Sequence, residues 1–434
     1  GTHITQHRAV RGTSRTRTWK PQRRVTCRVP CTLGQAMASL RQVFGAAAAS
    51  VFPVSFAVMA ATDDSQAIRS QPVKHPKRVA IVGATGAVGE ELLNVLRQRQ
   101  FPMSEIRLYA SARSAGKVVP SPLGMLEIEE FSVDKARNSD VVFFATNTAH
   151  AQANVPLIAQ RSKVSGLFGW FGFTSEGPLV VDNSKAFRYS PDVPLVVPEV
   201  NGEEALKAVK RGQRIIANPN CTTAIAALVL WPLHQRYGLE QVVMSTYQAA
   251  SGAGGPGMDE LTSGTAWQLK TGHIPPHHVF PHPLPFNVIP QIDVFCENGY
   301  TKEEMKVVWE TRKIFGLAKP EDLALSCTAV RIPTLRAHAE AITLRTREPC
   351  KAAEARDLLR SKEAPGVTVL DDPAKLEYPM PLNSSGQESV FVGRIRQSLV
   401  HGDRGLDMFV CGDQLLRGAA LNAVLIAEHV YQGK

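Results

Sequence analysis

The sequence lacks any run of about 18 consecutive apolar residues, so it contains no candidate for a membrane-spanning helix. It also lacks paired cysteines: the seven are scattered, odd in number, and form neither a Cys-x-x-Cys pair nor a Cys/His spacing typical of metal sites. Free thiols in a reducing compartment fit this pattern better than a disulfide framework. We therefore expect no membrane partner and no metal.

Acidic residues are absent from residues 1–62, which carry eight arginines and one lysine. Of the net charge of +10, this segment contributes +9, so the rest of the chain is nearly neutral and gives no reason to expect a nucleic-acid partner. An arginine-rich, Ser/Thr-bearing and acid-free stretch is typical of an organelle transit peptide. We interpret residues 1–70 as a disordered transit peptide for the chloroplast (plastid) stroma. The mitochondrion is the second choice, and a disordered basic arm is the alternative.

Strands and helices alternate over residues 76–219, which predicts a doubly wound, parallel sheet of the Rossmann type. The apolar run 79–82 ends at glycines spaced Gly-x-x-Gly-x-x-Gly, and a helical pattern follows. Such glycines allow a tight turn and close approach of a pyrophosphate, which a helix N-terminus attracts. A tight turn without a ligand is the alternative. The predicted cofactor contacts of this loop are Gly83, Thr85, Gly86, Ala87, Val88 and Gly89.

The second predicted strand leads into a segment without an acidic residue, Ser111–Lys117. Sites for NAD place a carboxylate at this point to bind the ribose hydroxyls. Here Arg113, with Ser111 and Ser114, suits charge-assisted hydrogen bonds to the 2′-phosphate of NADP. We therefore predict NADP as the cofactor, with a solvated basic loop as the alternative.

A different pattern begins after residue 219. Residues 220–412 predict an α+β domain with a more antiparallel sheet. Residues 413–434 contain a strong apolar helix, which we expect to pack back on the dinucleotide-binding domain. The predicted fold class is therefore α/β, with a Rossmann-type domain followed by an α+β domain.

One cysteine stands just before a predicted helix, in the run Asn218–Thr223. A helix N-terminus stabilises a thiolate, so we predict that the pKa of Cys221 is lowered and that this residue is a nucleophile. The amide of Asn220 is suited to hold a developing oxyanion together with a backbone N–H. By themselves these residues leave open the commoner case, in which a lone cysteine is a small buried hydrophobe.

Nine segments of the chain, in the same order, resemble the aspartate-semialdehyde dehydrogenase family. They are spread from about residue 76 to the C-terminus and read GATGAVG (83–89), ASARSAGK (110–117), DNSKAFR (182–188), VPLVVPEVN (193–201), NPNCTT (218–223), TYQAASGAG (246–254), EEMK (303–306), RIPTLRAHAEA (331–341) and GDQLLRGAALNAV (412–424). The resemblance implies that residues 220–412 form the catalytic and dimerisation domain of a homodimer or homotetramer.

The resemblance further implies a reaction between an acyl phosphate and an aldehyde. Cys221 would attack 4-aspartyl phosphate and form a thioester, which NADPH reduces. His338 would take the thiol proton and later donate one to the product, a role suited to an imidazole. Gln248 would orient the substrate carbonyl. Thr222–Thr223 after the cysteine favours this substrate over N-acetylglutamyl phosphate or glyceraldehyde phosphate.

Each charged group of the substrate also receives an implied ligand. Arg331 would bind the α-carboxylate, for which a bidentate guanidinium is suited. Glu303 would face the ammonium, and Lys306 with Arg188 would bind the leaving phosphate. The nicotinamide end of the cofactor would be lined by Ser251, Gly252 and Gln414.

Some features do not follow the family or its chemistry. Gln414 stands where an asparagine is often expected, and the aromatic, glycine-rich segment 165–173 is not part of the family pattern. The histidines at 273, 277, 278 and 282 fit no common metal-ligand spacing, and we interpret them as part of a mobile or interface loop. The alternative from another functional class is a regulatory or structural protein that binds NADP without catalysing a reaction. The complete set of implied catalytic residues argues against it.

Overall fold

The computed structural model describes residues 77–432, except residues 122, 161 and 164–173. The predicted transit peptide and the aromatic, glycine-rich segment therefore lie outside the described residues. Two short strands pair antiparallel on either side of that segment, with Ser162 opposite Ser175. No helix of the described part is long and apolar enough to cross a membrane.

The strands of the described residues are, in chain order, β1 (Lys77–Val82), β2 (Met103–Ala110), β3 (Val118–Ser121), β4 (Gly124–Glu130), β5 (Val141–Phe144), β6 (Ser162–Lys163), β7 (Thr174–Ser175), β8 (Leu179–Asp182), β9 (Ile215–Ala217), β10 (Leu239–Gln248), β11 (Ala324–Arg331), β12 (His338–Thr346), β13 (Val367–Val369), β14 (Val390–Ser398) and β15 (Gly402–Gly412). The α-helices are α1 (Ala87–Gln98), α2 (Val133–Arg137), α3 (Thr148–Ala159), α4 (Pro198–Lys210), α5 (Cys221–Tyr237), α6 (Gly254–Thr271), α7 (Lys302–Ile314), α8 (Ala352–Arg360), α9 (Pro381–Ser384) and α10 (Leu421–Gln432). A π-helical turn, Leu416–Ala420, precedes α10.

The first sheet has the order β3-β4-β2-β1-β5-β8-β9 and is parallel except for the β3–β4 pair. Its central strands β5 and β8 are buried along their whole length, as expected where helices cover both faces of a parallel sheet. On one face, Ile81 of β1 shares an apolar cluster with Leu92 of α1 and Val424 of α10. The C-terminal helix thus returns to the first domain, as predicted.

The second sheet has the order β11-β10-β12-β15-β14-β13 and mixes parallel with antiparallel pairs. Helix α5 is buried on nearly every side because it packs on both sheets. Val142 of β5, Leu228 of α5 and Ile342 of β12 belong to one apolar cluster. The predicted fold, a Rossmann-type domain followed by an α+β domain, is therefore confirmed.

The register of β10 with its two neighbours determines which side chains meet. Gln248 pairs with Arg331 at the ends of the parallel strands β10 and β11. On the other side of β10, the antiparallel β12 places Ala339 opposite Tyr247, so His338 begins β12 beside Gln248. Residues far apart in sequence thus reach one edge of the second sheet, and this edge carries the candidate site.

Candidate active site

Cys221 is the first residue of α5, so its thiol lies at the helix N-terminus. The side chain of Asn220 caps the helix by accepting a hydrogen bond from the N–H of Thr223 (3.2 Å). The π-helical turn Leu416–Ala420 contacts the cysteine from the other end of the chain. A Cβ on Gly418 would lie 2.5 Å from the Cβ of Cys221, so only glycine fits there. Cys221 is thus positioned by its own helix and by the C-terminal segment.

The prediction of a lowered pKa for Cys221 is wrong in this structure. Burial raises the pKa of the thiol to about 11, and the negative charge of Glu303 adds to the increase. Arg188 and Thr222 act in the opposite direction without reversing it. The prediction considered the helix N-terminus but not the removal of the sulfur from water, which disfavours the charged form. The thiol of Cys221, the predicted nucleophile, is therefore protonated at neutral pH.

Glu303, in the first turn of α7, is the centre of the hydrogen bonds beside the thiol. It accepts from Asn220 Nδ2 (2.9 Å), Gln248 Nε2 (3.2 Å) and Lys306 Nζ (2.8 Å). Burial opposes ionisation of Glu303, but Lys306 and the two amides outweigh it and lower the pKa of the carboxyl to about 2. Glu303 is therefore a buried, fixed negative charge, as a ligand for an ammonium group must be.

Asn220 has more partners than the sequence suggests. Its amide oxygen caps α5, and one amide N–H goes to Glu303. Its backbone N–H donates to Glu310 Oε2 (2.5 Å). A carboxamide has two N–H groups, so one remains for the predicted contact with an oxyanion.

His338 is fully buried at the beginning of β12. Its Nδ1 accepts a hydrogen bond from the N–H of Ala249 (3.1 Å), a pattern that assigns the ring proton to Nε2. Nε2 has no hydrogen-bond partner among the described residues. Burial and the neighbouring Arg331 lower the pKa of His338 to about 3. The neutral ring thus offers an Nε2–H donor, which fits the acid half of its predicted role, whereas the base half requires the other tautomer.

Arg331, the last residue of β11, is buried and has no carboxylate partner among the described residues. Its Nη1 donates to the carbonyl oxygen of Ala249 (2.6 Å), and the guanidinium lies 5.7 Å from the centroid of the Phe280 ring. Gly252 leaves room beside it, because a Cβ there would lie 2.7 Å from Nη1 and 3.4 Å from His338 Nε2. A buried guanidinium with spare N–H groups suits a substrate carboxylate.

The two cations predicted to bind phosphate already have carboxylate partners. Lys306 donates to Asp293 (2.9 Å) as well as to the glutamate described above. Arg188 donates from Nη1 to Glu310 (3.2 Å) and from Nη2 to the carbonyl of Asn183 (3.0 Å). The Nε of Arg188 is buried without a partner among the described residues. Both cations therefore lie at the site, and Arg188 keeps at least one donor for an anion.

Three charged residues near these cations were missed by sequence reasoning. Glu310 stands seven residues after Glu303 on α7 and so on the same helical face, and this spacing was the available signal. Lys185 Nζ lies 3.5 Å from the Asp293 carboxylate that also binds Lys306. Burial opposes ionisation of Asp293, but Lys306, the backbone N–H of Val294 and Lys185 lower its pKa to about 2. No sequence signal distinguishes this aspartate from an ordinary loop residue.

The histidine-containing segment after α6 is held by one carboxylate. Glu260 accepts hydrogen bonds from three consecutive backbone N–H groups, those of residues 278–280. A cavity of about 300 Å³ lies against this segment, lined by Phe280, Asp293 and four neighbours but not by Cys221. Among the described residues, no group of His, Cys, Asp and Glu side chains could hold a metal ion.

Gln414 links the two segments predicted to meet the nicotinamide. Its Oε1 accepts from the N–H of Ala337 (2.8 Å), and its Nε2 donates to Ser251 Oγ. All three groups are buried, and Ala337 immediately precedes His338. The side chain of Gln414, which is longer than that of the expected asparagine, thus bridges both segments.

The glycine loop has the shape that a pyrophosphate requires. Gly83 has a φ of +93°, and a Cβ on Gly89 would collide with the Gly83 carbonyl. Gly86 precedes α1 without a side-chain cap, so the first N–H groups of the helix are available to an anion. At the end of β2, Ser114 is buried, whereas Arg113 is exposed and forms no ion pair within the described part of the chain.

Two regions of the chain match the domains of one enzyme family. Residues 78–208 match the family described as "Semialdehyde dehydrogenase, NAD binding domain", and residues 230–417 match "Semialdehyde dehydrogenase, dimerisation domain". The aspartate-semialdehyde dehydrogenase of Aquifex aeolicus is 44% identical over 351 residues, which cover 81% of this chain and 97% of the relative.

The chain belongs to the aspartate-semialdehyde dehydrogenase family. The family member from a Synechocystis strain is 43% identical over 353 residues, covering 81% of this chain and 97% of its own. The crystal structure of aspartate semialdehyde dehydrogenase II from Vibrio cholerae, complexed with ASA, is 38% identical with a TM-score of 0.73 and covers 82% of this chain and 98% of that one. The Candida albicans enzyme, solved with NADP, has 25% identity, a TM-score of 0.60 and the same coverages. The chain is thus a dehydrogenase of this family, and the other acyl-phosphate reductases are not favoured.

Proposed function

We propose that the enzyme converts 4-aspartyl phosphate and NADPH into aspartate 4-semialdehyde, phosphate and NADP through a thioester on Cys221. The observation that carries the proposal is the meeting of four groups from α5 and three strands. A thiol, an amide, a guanidinium and a buried imidazole N–H come together there, contributed by Cys221, Gln248, Arg331 and His338.

Two buried charges of opposite sign select the substrate. Arg331 binds the α-carboxylate through parallel hydrogen bonds, and Glu303 faces the α-ammonium. N-acetylglutamyl phosphate carries an uncharged acetamide at that place, which cannot replace an ammonium beside a buried carboxylate. Glyceraldehyde phosphate has neither group. The pair therefore favours an α-amino acid substrate.

Acylation starts from the protonated thiol. As the sulfur of Cys221 attacks the carbonyl carbon, the new S–C bond replaces the C–O bond to phosphate. The thiol proton and the expelled phosphate together give hydrogen phosphate, so the step is balanced. Arg188 and Lys306 stabilise the charge that develops on the leaving group, and Gln248 orients the carbonyl.

NADPH, when bound, supplies the hydride that reduces the thioester carbonyl. Loop residues 83–89 and the N-terminus of α1 would hold its pyrophosphate. His338 keeps an Nε2–H beside the reacting carbonyl, where a donor stabilises the oxyanion and then protonates the departing sulfur of Cys221, which restores the thiol as the aldehyde forms. The nicotinamide end would be lined by Ser251, Gly252 and Gln414.

The choice of NADP rests on the end of β2. No carboxylate is present between residues 111 and 117, and Arg113 is exposed without an ion-pair partner in the described residues. An unpaired guanidinium flanked by Ser111 and Ser114 suits a 2′-phosphate and gives no advantage to NAD. The relative from Candida albicans that was solved with NADP supports the same choice.

Assembly as a homodimer uses the outer face of the second sheet. Val243 is 54% exposed and Tyr247 is 37% exposed on this face, and the Tyr247 ring lies 6.0 Å from that of Phe409. Apolar side chains of this size are common at interfaces. A homotetramer would need a second surface. Light scattering distinguishes these states, and a monomer at micromolar concentration would contradict the proposal.

The N-terminal composition supports import into plastids, with residues 1–70 as the transit peptide. Incubation of the radiolabelled chain with isolated chloroplasts and mitochondria tests this directly. A protease-protected, shortened product in chloroplasts is expected. Protection in mitochondria alone would replace the plastid with the mitochondrion.

One assay tests the function as a whole. The enzyme is given NADP and phosphate with aspartate semialdehyde, N-acetylglutamate semialdehyde or glyceraldehyde phosphate, and NADPH formation is followed by absorbance. We expect phosphate-dependent NADPH formation with aspartate semialdehyde at a kcat/KM at least about 100-fold above either other aldehyde. Equal rates with N-acetylglutamate semialdehyde would contradict the roles of Glu303 and Arg331.

A further inference from the structure

Glu310 is a buried carboxylate at the site to which the proposed reaction gives no role. It lies on α7 and is completely excluded from solvent. Its Oε1 accepts from Arg188 Nη1 (3.2 Å) and from the hydroxyl of Tyr189 (3.1 Å), and its Oε2 accepts from the backbone N–H of Asn220 (2.5 Å). Removing a carboxylate from water is costly unless hydrogen bonds compensate for the lost hydration, and here three donors do so.

The bond to Asn220 completes the N-terminus of the nucleophile helix. In a capping box, the third helical residue is Glu or Gln and accepts the backbone N–H of the cap residue. Here that third residue is Thr223, which is not Glu or Gln. Glu310 supplies the missing carboxylate from another helix. The Pro219–Asn220 peptide unit, one residue before Cys221, is therefore fixed by α7 rather than by α5.

The bond to Arg188 fixes the other partner of the thiol. With Nη1 on Glu310 and Nη2 on Asn183, the guanidinium plane is set and its Nε–H remains without a partner among the described residues. Arg188 and Cys221 are close enough that the arginine opposes the increase in the pKa of the thiol. One carboxylate thus determines both where the sulfur lies and how the cation beside it is oriented and neutralised.

We propose that Glu310 is a positioning residue of the reaction at Cys221, acting through the peptide N–H of Asn220 and the guanidinium of Arg188. It touches neither substrate nor thiol. This inference rests on the thioester mechanism proposed above and extends it to the residue that aligns nucleophile and phosphate ligand.

The same helix offers a matched control. Glu304 is also buried on α7 and also accepts backbone N–H groups, those of Thr301 (2.5 Å) and Ala329 (2.9 Å), but none of its bonds goes to the site. Glu310→Gln and Glu304→Gln each turn a buried carboxylate into an amide that meets backbone donors. Both should lose stability, and only the first should change the chemistry.

The test uses the full chain and two readouts. The first is kcat and KM for phosphate in the direction that consumes semialdehyde. The second is the rate of alkylation of Cys221 by iodoacetamide between about pH 6 and pH 10, followed by peptide mass spectrometry. The charged and titratable groups packed around the thiol, which both variants retain, are Glu303 on α7, Arg188 after β8, Arg331 on β11 and His338 on β12.

Loss of a hydrogen bond to a charged group predicts that E310Q lowers kcat/KM for phosphate by about 10- to 100-fold. Its alkylation profile should move to lower pH, because the charge of Arg188 is no longer neutralised. E304Q should stay within about twofold of the parent in both readouts. An E310Q enzyme within twofold of the parent, an E310Q profile that does not move, or equal losses in both variants would each overturn the proposal.

A second variant covers the case in which E310Q does not fold. Glu310→Asp keeps the charge but withdraws it by one methylene group from Asn220, so kcat should fall while the alkylation profile stays in place. An unchanged kcat would overturn the proposal. If the parent itself fails to act on aspartate semialdehyde, the proposed function fails, whereas the alkylation readout still tests Glu310.

Discussion

The dinucleotide loop and the thiol site of this enzyme are built in opposite ways. The loop, residues 83–89, is contiguous in sequence and partly exposed, and its glycines leave the backbone N–H groups as the ligands. The thiol site is assembled from α5, α7, strands β10–β12 and the C-terminal turn, and nearly all its polar side chains are buried and bonded to one another.

This difference predicts how each region responds to change. In the loop, each contact to the cofactor is independent, so a substitution removes one contact and leaves the rest. In the thiol site, one carboxylate such as Glu303 holds three partners at once, so a substitution disturbs all of them. The predictions below are arranged to separate the two regions.

Replacing Cys221 with Ser should distinguish the thiol site from the dinucleotide loop most clearly. The hydroxyl is a far weaker nucleophile than the thiol, so turnover should fall by about 1,000-fold or more. The affinity for NADPH, measured by fluorescence titration, should change by less than about twofold because the loop lies elsewhere. Turnover within tenfold of the parent would contradict covalent catalysis.

The pH dependence of the free energy of unfolding should show that the buried His338 is neutral in the folded enzyme. Burial and Arg331 lower the pKa of the folded histidine to about 3, whereas an unfolded histidine has a pKa of about 6.5. Between these values the unfolded chain binds a proton and the folded chain does not. The free energy of unfolding should therefore fall as the pH falls from about 6.5, by about 1.4 kcal/mol per pH unit from this group.

The matched variant for this measurement is His338→Asn, whose amide oxygen is able to accept the hydrogen bond from the N–H of Ala249. Urea unfolding at about pH 7, 6 and 5 should show a shallower decline in the variant than in the parent. Parallel curves would mean that His338 is not held neutral in the folded enzyme. Arg113 and the loop contribute nothing to this difference.

Gly418→Ala should displace Cys221 through the C-terminal turn that contacts it. The new Cβ would lie 2.5 Å from the Cβ of Cys221, so either the π-helical turn or the start of α5 must move. A small displacement of a reacting atom lowers kcat by about 10- to 100-fold. Gly255→Ala is the control, since nothing lies within 4 Å of a Cβ there. Equal kcat values for the two variants would rule out this constraint on Cys221.

Arg113→Ala should give the smallest effect and confine it to the loop region. Loss of the charge-assisted bonds to the 2′-phosphate should raise the KM for NADPH by about tenfold and leave the KM for NADH unchanged. The alkylation rate of Cys221 should stay as in the parent. An equal change for both cofactors would remove Arg113 from the 2′-phosphate site.

Sequence reasoning predicted the fold correctly and proposed the main site residues, because their signals are local or form an ordered set of motifs. The glycine spacing at 83–89 and the alternating strands predicted the Rossmann-type domain, and the comparisons confirm it. Gln248, Arg331 and His338 could be chosen only through the family resemblance, since each alone is ordinary. For Cys221 the local pattern left the alternative of a small buried hydrophobe open, and the resemblance decided between them.

The errors and omissions have long-range causes. The pKa of Cys221 depends on how deeply α5 is buried between two sheets, which no hexapeptide reveals. Glu310 pairs with Arg188, 122 positions away, and Asp293 pairs with Lys185, more than 100 positions away, as well as with the nearer Lys306. The tautomer of His338 is set by a backbone N–H 89 positions away.

The contact of Gly418, in the C-terminal turn, with Cys221 affects when the site is completed during protein synthesis. Gln414, Gly418 and α10 are synthesised after the other residues of the site, yet they complete the predicted nicotinamide end, the support of Cys221 and the core of the first domain. A nascent chain whose residues 414–432 have not left the ribosome therefore lacks a finished site around Cys221. We expect a chain that stops before residue 414 to be inactive.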